Sequence, residues 1–367
     1  MHNKKVKQKL AFVIPSLGAG GAERVVSTLA NTLTTDYEVY IISFIKVVPF
    51  YQLHKDVRLL HCVDNVPPSR NIFNALKSNY ILLKKINAIV KKEKIQLLIG
   101  FLTSANVLSV LAAKSNSIPC IISERNNPNK NKANKFWKLL KSFSYPKANF
   151  LVVQTREIKE YYASSVDEKK LIILPNPISN ELSLKRDNEV FKENVILNVG
   201  RLTNQKAQDV LIKSFSEIED KNWKLLIIGE GPKKKEYEQL IENLDLKNRV
   251  IIKSKIQNID KYYNSSKIFA FTSIFEGFPN ALIEAMHFGI PSISTDCPTG
   301  PSELIKDGIN GFLIPMNNEE VLTEKINQLI SREDLRLSFG KNGQKAVDQF
   351  KVDAVVKQWN KIIQLSI

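Results

Sequence analysis

Two cations and two carboxylates, set in a fixed order in the C-terminal half, carry the clearest chemistry in this chain. Arg201 and Lys206 stand five residues apart in VILNVGRLTNQK, with Gly200 just before them. Glu276 and Glu284 stand eight apart in FEGFPNALIEA. A planar guanidinium fork and a compact ammonium are the side chains suited to phosphate groups. A departing diphosphate carries about two negative charges, so cations or dipoles must be fixed where that charge develops. Pro279 suits the first turn of a helix, and the N–H groups at that helix start would face the same diphosphate. Glu284, deeper in the helix, can accept both hydroxyls of a ribose. Glu276, in the turn before it, would face hydroxyls of a sugar or the positive charge developing at its anomeric carbon. The loop of Gly277, Phe278, Pro279 and Asn280 would bring backbone N–H groups to the sugar and diphosphate. The parts fit one ligand, a nucleoside-diphosphate sugar.

Such a site must be held by rigid elements, and the flanking sequence supplies them. Short apolar runs at 10–14, 38–43, 58–63, 96–101, 119–123 and 149–153 alternate with amphipathic stretches. That is the pattern of a parallel sheet with helices on both faces. A polar stretch at about 176–193 reads as a linker. A second alternation follows in NVILNVG, KLLIIGEG, RVIIK, IFAFTS, PSIST and GFLIP. The chain is therefore predicted to form two doubly wound α/β domains with a cleft between them. Their expected limits are 1–180 and 181–351, with a helix at 352–367 crossing back to the first. Gly18, Gly20 and Gly21 lie between the first strand and the helix ERVVSTLANTL. Glycines there allow close backbone approach, and the helix start offers N–H groups to an anion or hydroxyl. A nicotinamide dinucleotide is disfavoured, because Ser43 and Phe44, rather than an acid, close the second strand.

Composition narrows the setting. Hydrophobic residues make up 43% and charged residues 25% of 367 residues, as in a globular protein. No apolar run reaches the ~18–20 residues needed to span a bilayer. The basic, then apolar, start reads as a first buried strand rather than a leader. Cys62, Cys120 and Cys297 are far apart without metal-type spacing, which points to reduced thiols. No Asp-x-Asp and no His/Cys cluster occurs, so no metal or other cofactor is expected, and Arg201 and Lys206 would neutralise the β-phosphate. The net charge of +16 lies wholly in residues 1–180, where 27 Lys and Arg face 11 Asp and Glu. Residues 70–94 hold seven basic residues and one acid around an apolar stripe at Ile72, Leu76, Leu83, Ile86 and Val90. Residues 126–150 add six lysines around Phe136, Trp137, Leu139, Leu140 and Phe143. Basic amphipathic helices can lie on an anionic membrane, at ~1 kcal/mol per nearby cation. Nucleic acid is not expected as a partner, since the aromatics fit helix packing better than a stacking platform.

The motifs in this order also carry a resemblance. GRL followed by Lys206, IIGEGP at 227–232, the Glu276/Glu284 pair, EAMHFGIPSISTD, GINGFLI at 308–314 and IPSLGAGGAERVV at 14–26 resemble the retaining glycosyltransferases of family 4. These have the GT-B fold, two Rossmann-like domains facing a central cleft. The match is nearest to bacterial enzymes that extend undecaprenyl-diphosphate-linked glycans, including the Campylobacter-type N-acetylgalactosaminyltransferases. The resemblance implies a UDP-sugar donor, N-acetylgalactosamine first among hexosamines and hexoses, and transfer with retention and without a metal. It implies a lipid-linked glycan acceptor in O-antigen, capsule or protein-glycan assembly, and a peripheral place on the inner face of a bacterial plasma membrane. The Gly18–Gly21 loop would lie over the diphosphate, and Lys77, Lys84 and Lys85 on the basic helix would engage the lipid diphosphate. Glu124 and Arg125 in ISERN stand where many relatives have a histidine, and are the candidates for an alternative base or another acceptor-side role. A UDP-sugar epimerase or hydrolase on the same fold, or a non-catalytic glycan- or lipid-binding module, is the alternative.

Overall fold

The apolar runs become strands, the central ones buried on both faces, as parallel pairing under two helical layers requires. The computed structural model describes residues 6–18, 20–65, 72–125, 128 and 135–367. The chain divides into two units, residues 1–177 with 352–367, and residues 178–351.

Among its described residues the first unit holds seven strands: β1 Lys9–Ile14, β2 Glu38–Ile45, β3 Arg58–Val63, β4 Leu97–Phe101, β5 Cys120–Ser123, β6 Phe150–Val153 and β7 Leu171–Ile173. They lie in the order β3-β2-β1-β4-β5-β6-β7, all parallel, with Phe12 of β1 level with Ile41 of β2 and Ile99 of β4. The second unit holds six: β8 Glu193–Val199, β9 Lys224–Ile228, β10 Val250–Lys253, β11 Ser266–Phe271, β12 Ser292–Thr295 and β13 Phe312–Ile314. Their order is β10-β9-β8-β11-β12-β13, again parallel. In each sheet the order reverses beside the first strand, at β1/β4 and at β8/β11. Ligands of open α/β sheets bind beyond the carboxyl ends of the strands at such a point.

Each sheet buries an apolar layer on both faces. One layer of the first unit is completed from the far end of the chain. Helix Val352–Gln364 buries Val352, Val355, Trp359, Ile362 and Ile363 against β1, β4 and helix Gly21–Leu33. Trp359 stacks on Phe101 at 5.8 Å between ring centres.

Three local expectations are corrected. Strand β7 was not among the runs read as strands; three residues at a sheet edge leave too short a pattern. The stretch read as a linker contains helix Asn180–Leu184, capped by the Ser179 hydroxyl, which accepts from Leu182 N–H at 3.1 Å, and Leu182 is buried. On helix Ile72–Glu93 the buried stripe is Leu82, Ile86 and Val90, while Leu76 is exposed.

Candidate active site

The loop after β8 is built by backbone contact with the loop after β9. Gly200 N–H donates to the Ile228 carbonyl at 3.0 Å and Leu202 N–H to the Glu230 carbonyl at 2.9 Å. A Cβ at Gly229 would lie 1.9 Å from the Gly200 oxygen, and one at Gly231 would lie 2.2 Å from the Leu202 oxygen. The glycines of IIGEGP therefore let two loops press backbone to backbone. A Cβ at Gly200 would approach the Lys206 stem at 3.3 Å, so Gly200 leaves a track for that side chain.

Lys206 and Glu276 meet. The Lys206 Nζ lies 2.6 Å from Glu276 Oε1 and 4.8 Å from the centre of the Phe271 ring. Both side chains are largely buried, at 15% and 8% exposure. The loops that carry them are stitched together. Thr272 Oγ1 donates to the Lys206 carbonyl, Gln205 Nε2 donates to the Phe275 carbonyl, and Ile274 N–H donates to the Gln205 carbonyl. Arg201 has its carbonyl held by Gln208 Nε2 at 3.1 Å, and its side chain is exposed. Among the described residues its guanidinium has no ion pair.

Glu284 rises from helix Asn280–His287, which buries Leu282, Ile283, Ala285 and Met286 beneath it. Its Oε2 accepts from the Tyr263 hydroxyl at 3.0 Å. Pro279 precedes the helix as its N-cap residue, and Glu276 lies in the loop ahead of it. The segment Pro298–Gly300 backs this loop. Glu276 N–H donates to the Pro298 carbonyl, Thr299 Oγ1 donates to the Glu276 carbonyl, and Gly300 (φ +107°) packs flush on Pro279. A Cβ there would lie 2.5 Å from the Pro279 ring. The eight-residue spacing thus spans a loop and half a helix, with Gly277 and Phe278 between, and Phe278 buried. Burial, followed by the nearby Glu276 charge, pushes the Cys297 thiol up to about 12, which keeps it protonated. Tyr263 and Phe271 were not singled out in the sequence; their roles depend on contacts across strands, which no local pattern encodes.

In the first unit, Gly18 precedes helix Gly21–Leu33, and Gly20 is its N-cap, with its carbonyl accepting from Arg24 N–H at 3.1 Å. Ala19 lies outside the described residues. Glu124 follows β5 and is 1% exposed. Its Oε2 accepts from Thr103 Oγ1 at 3.1 Å, Lys141 Nζ at 3.0 Å and the Tyr145 hydroxyl at 2.8 Å. Arg125, 8% exposed, donates from Nη1 to Asn176 Oδ1 at 2.5 Å and lies over the Phe101 ring at 4.8 Å. Among the described residues its Nε and Nη2 have no hydrogen-bond partner. Burial pulls the guanidinium down to about 9, still charged at neutral pH. Lys77, Lys84 and Lys85 are exposed on helix Ile72–Glu93, as are Lys91 and Lys92. The structure therefore gathers Gly200, Lys206, Glu276, Glu284 and their loop in the second unit. Glu124 and Arg125 form a cluster of their own in the first.

Both units resemble known proteins. Residues 181–346 match the family described as glycosyl transferases group 1, and residues 19–182 match Glycosyltransferase Family 4. The chain is 30% identical over 97% of its length to GalNAc-alpha-(1->4)-GalNAc-alpha-(1->3)-diNAcBac-PP-undecaprenol alpha-1,4-N-acetyl-D-galactosaminyltransferase of Campylobacter jejuni, covering 98% of it. The chain belongs to glycosyltransferase family 4. A second Campylobacter jejuni enzyme, N-acetylgalactosamine-N,N'-diacetylbacillosaminyl-diphospho-undecaprenol 4-alpha-N-acetylgalactosaminyltransferase, is 31% identical over 94% of the chain and 97% of its own length. Anabaena HepE, solved with UDP, superposes with a TM-score of 0.81 at 18% identity, covering 98% of this chain and 100% of that one. That likeness establishes the GT-B fold of this family-4 glycosyltransferase.

The helix that presents Glu284 to the site also carries a pH-sensitive group. Burial, then the charges of Arg186 and Lys351, pull His287 down from 6.5 to about 4. Above pH 6.5 the ring is neutral folded or unfolded and adds nothing. As pH falls further, the unfolded ring takes a proton that the folded ring refuses. Stability is lost, about 2 kcal/mol by pH 5, until the folded ring protonates near pH 4. His287→Phe in this glycosyltransferase is expected to flatten the fall in urea midpoint between pH 7 and pH 5. An unchanged fall would assign the acid limb to other groups.

Proposed function

We propose that this family-4 glycosyltransferase moves a sugar, N-acetylgalactosamine first among hexosamines and hexoses, from a UDP-sugar to an undecaprenyl-diphosphate-linked glycan. The reaction would serve O-antigen, capsule or protein-glycan assembly. The observation that carries the reading is the Lys206–Glu276 pair at the β8/β11 switch point, with Glu284 on the helix that follows the Glu276 loop. Lys206 and the exposed Arg201 neutralise the β-phosphate as the bond from the anomeric carbon to the phosphate oxygen breaks. Glu284, steadied by Tyr263, holds the ribose. The Gly277–Asn280 loop and the Gly18, Gly20 and Gly21 turn offer backbone N–H groups to sugar and diphosphate. Glu276 faces the sugar, where developing positive charge draws on its carboxylate.

Retention follows if the acceptor hydroxyl attacks from the leaving-group side. The new bond forms at the anomeric carbon, and the acceptor proton passes to the departing phosphate oxygen. Glu124 is engaged by Lys141, Tyr145 and Thr103, which supports a positioning role for it rather than that of a base. Arg125, buried with two N–H groups to offer, is the better acceptor-side contact. The names of the two Campylobacter relatives support the undecaprenyl-linked acceptor.

Exposed Lys77, Lys84 and Lys85 would engage the lipid diphosphate on an anionic inner-membrane surface, with exposed Leu139 and Phe143 at the headgroups. No helix among the described residues is long and apolar enough to cross a membrane.

Radiolabelled UDP-sugars incubated with and without undecaprenyl-diphosphate glycans test the reading. Label is expected in the lipid fraction, unaffected by EDTA. Sugar release or epimerisation without acceptor would favour the hydrolase or epimerase reading. Strict dependence on added Mn²⁺ would overturn the metal-free scheme.

A further inference from the structure

A cavity of about 400 Å³ opens in the first unit where the end of β5 meets helices Lys135–Ser144 and Arg156–Ala163. That volume is within the ~300–1,000 Å³ of small-molecule sites. We propose that this cavity is a subsite for one pyranose unit of the acceptor glycan, stacked on Tyr161. The proposal rests on the acceptor reading of the first unit and goes beyond it by naming the unit bound and the residues that bind it.

The lining decides the ligand class. Tyr161 lines the cavity 43% exposed and packs at right angles to the buried Tyr162, 5.0 Å between centres. A half-open ring is a platform for the apolar C–H face of a sugar. Three hydroxyls beside it have their protons committed to their own helices. Ser142 Oγ donates to the Leu139 carbonyl at 2.8 Å, Ser164 Oγ to the Tyr161 carbonyl at 3.2 Å and Ser165 Oγ to the Tyr162 carbonyl at 3.3 Å. Each oxygen keeps a lone pair for an incoming hydroxyl.

The charges are nearly balanced. Lys141 is held by Glu124 at 3.0 Å, and Lys138 forms no ion pair among the described residues. One cation beside three hydroxyl acceptors is a poor match for a diphosphate. Donors, acceptors and a ring face in that proportion suit a neutral polyol, with Lys138 donating to a ring or acetamido oxygen.

Saturation-transfer NMR on the full chain with UDP present, using methyl N-acetylgalactosaminide and methyl glucoside as probes, tests this. A saturable signal is expected, weakened roughly tenfold or more in Tyr161→Ala, with UDP affinity unchanged. In the transfer assay Tyr161→Ala is expected to raise the KM for the lipid-linked glycan with kcat largely kept. The proposal is overturned by the absence of any sugar signal, by a signal equal in Tyr161→Ala, or by inorganic pyrophosphate displacing the sugar in a Lys138-dependent way. If transfer proceeds with its acceptor KM unmoved in Tyr161→Ala, the cavity is excluded as an acceptor subsite and the glycosyltransferase reading stands. If no lipid-linked glycan is extended at all, the parent reading fails, and a Tyr161-dependent sugar signal would still establish the cavity as a sugar site.

Discussion

Replacing Lys206 by methionine is expected to slow transfer by about two to three orders of magnitude, the usual cost of removing one fixed group from a developing anion. Two effects must be separated in that number. The ammonium is lost where the leaving diphosphate gathers charge. Glu276, 6% exposed, also loses the cation 2.6 Å away, and breaking a buried ion pair by removing one member can cost ~3–5 kcal/mol. The double variant Lys206→Met with Glu276→Gln removes the second effect. Thermal unfolding should return towards the parent value in the double variant, while the rate stays low. Transfer by Lys206→Met within about tenfold of the parent would sink the role assigned to this side chain.

Trp359→Ala is the second large effect expected, and it acts on stability. The indole is fully buried and stacks on Phe101 at 5.8 Å and 22°, so truncation should destabilise the first unit by ~3–5 kcal/mol. Because Trp359 belongs to that unit's core layer, the first unit's transition should shift down while that of residues 178–351 stays in place in calorimetry. The same Phe101 ring lies under the Arg125 guanidinium at 4.8 Å. Trp359→Phe keeps a ring against Phe101 and should recover most of the loss. A single unshifted transition in Trp359→Ala would contradict the packing described.

Most of the fold was legible because parallel strands buried on both faces read as short continuous apolar runs. Twelve of those runs correspond to strands here, and among the described residues β7 alone was missed. The motif IIGEGP was legible as a mark but not as a cause; its glycines matter because they admit the Gly200 and Leu202 carbonyls. Lys206 and Glu276 were each singled out, yet their contact was not, since 70 residues separate them and only the β8/β11 pairing brings the loops together. The burial of Glu124 against Lys141 was likewise hidden. The basic segment around Lys141 was read as an amphipathic helix for an anionic membrane, and its apolar neighbours did not reveal which lysine turned inward. Part of that segment, residues 126–127 and 129–134, lies outside the described residues.

Helix Val352–Gln364 closes a core begun by residues near the other end of the chain. During synthesis at ~5–20 residues per second, the first unit must wait for the whole of the second to be translated before its last layer arrives. Until then the floor beneath Phe101 stands open to water, and a nascent chain in that state is a natural client for a holdase. A ribosome-bound fragment ending at residue 351 should therefore be protease-sensitive in the first unit and recover protection when the missing helix is supplied as a peptide.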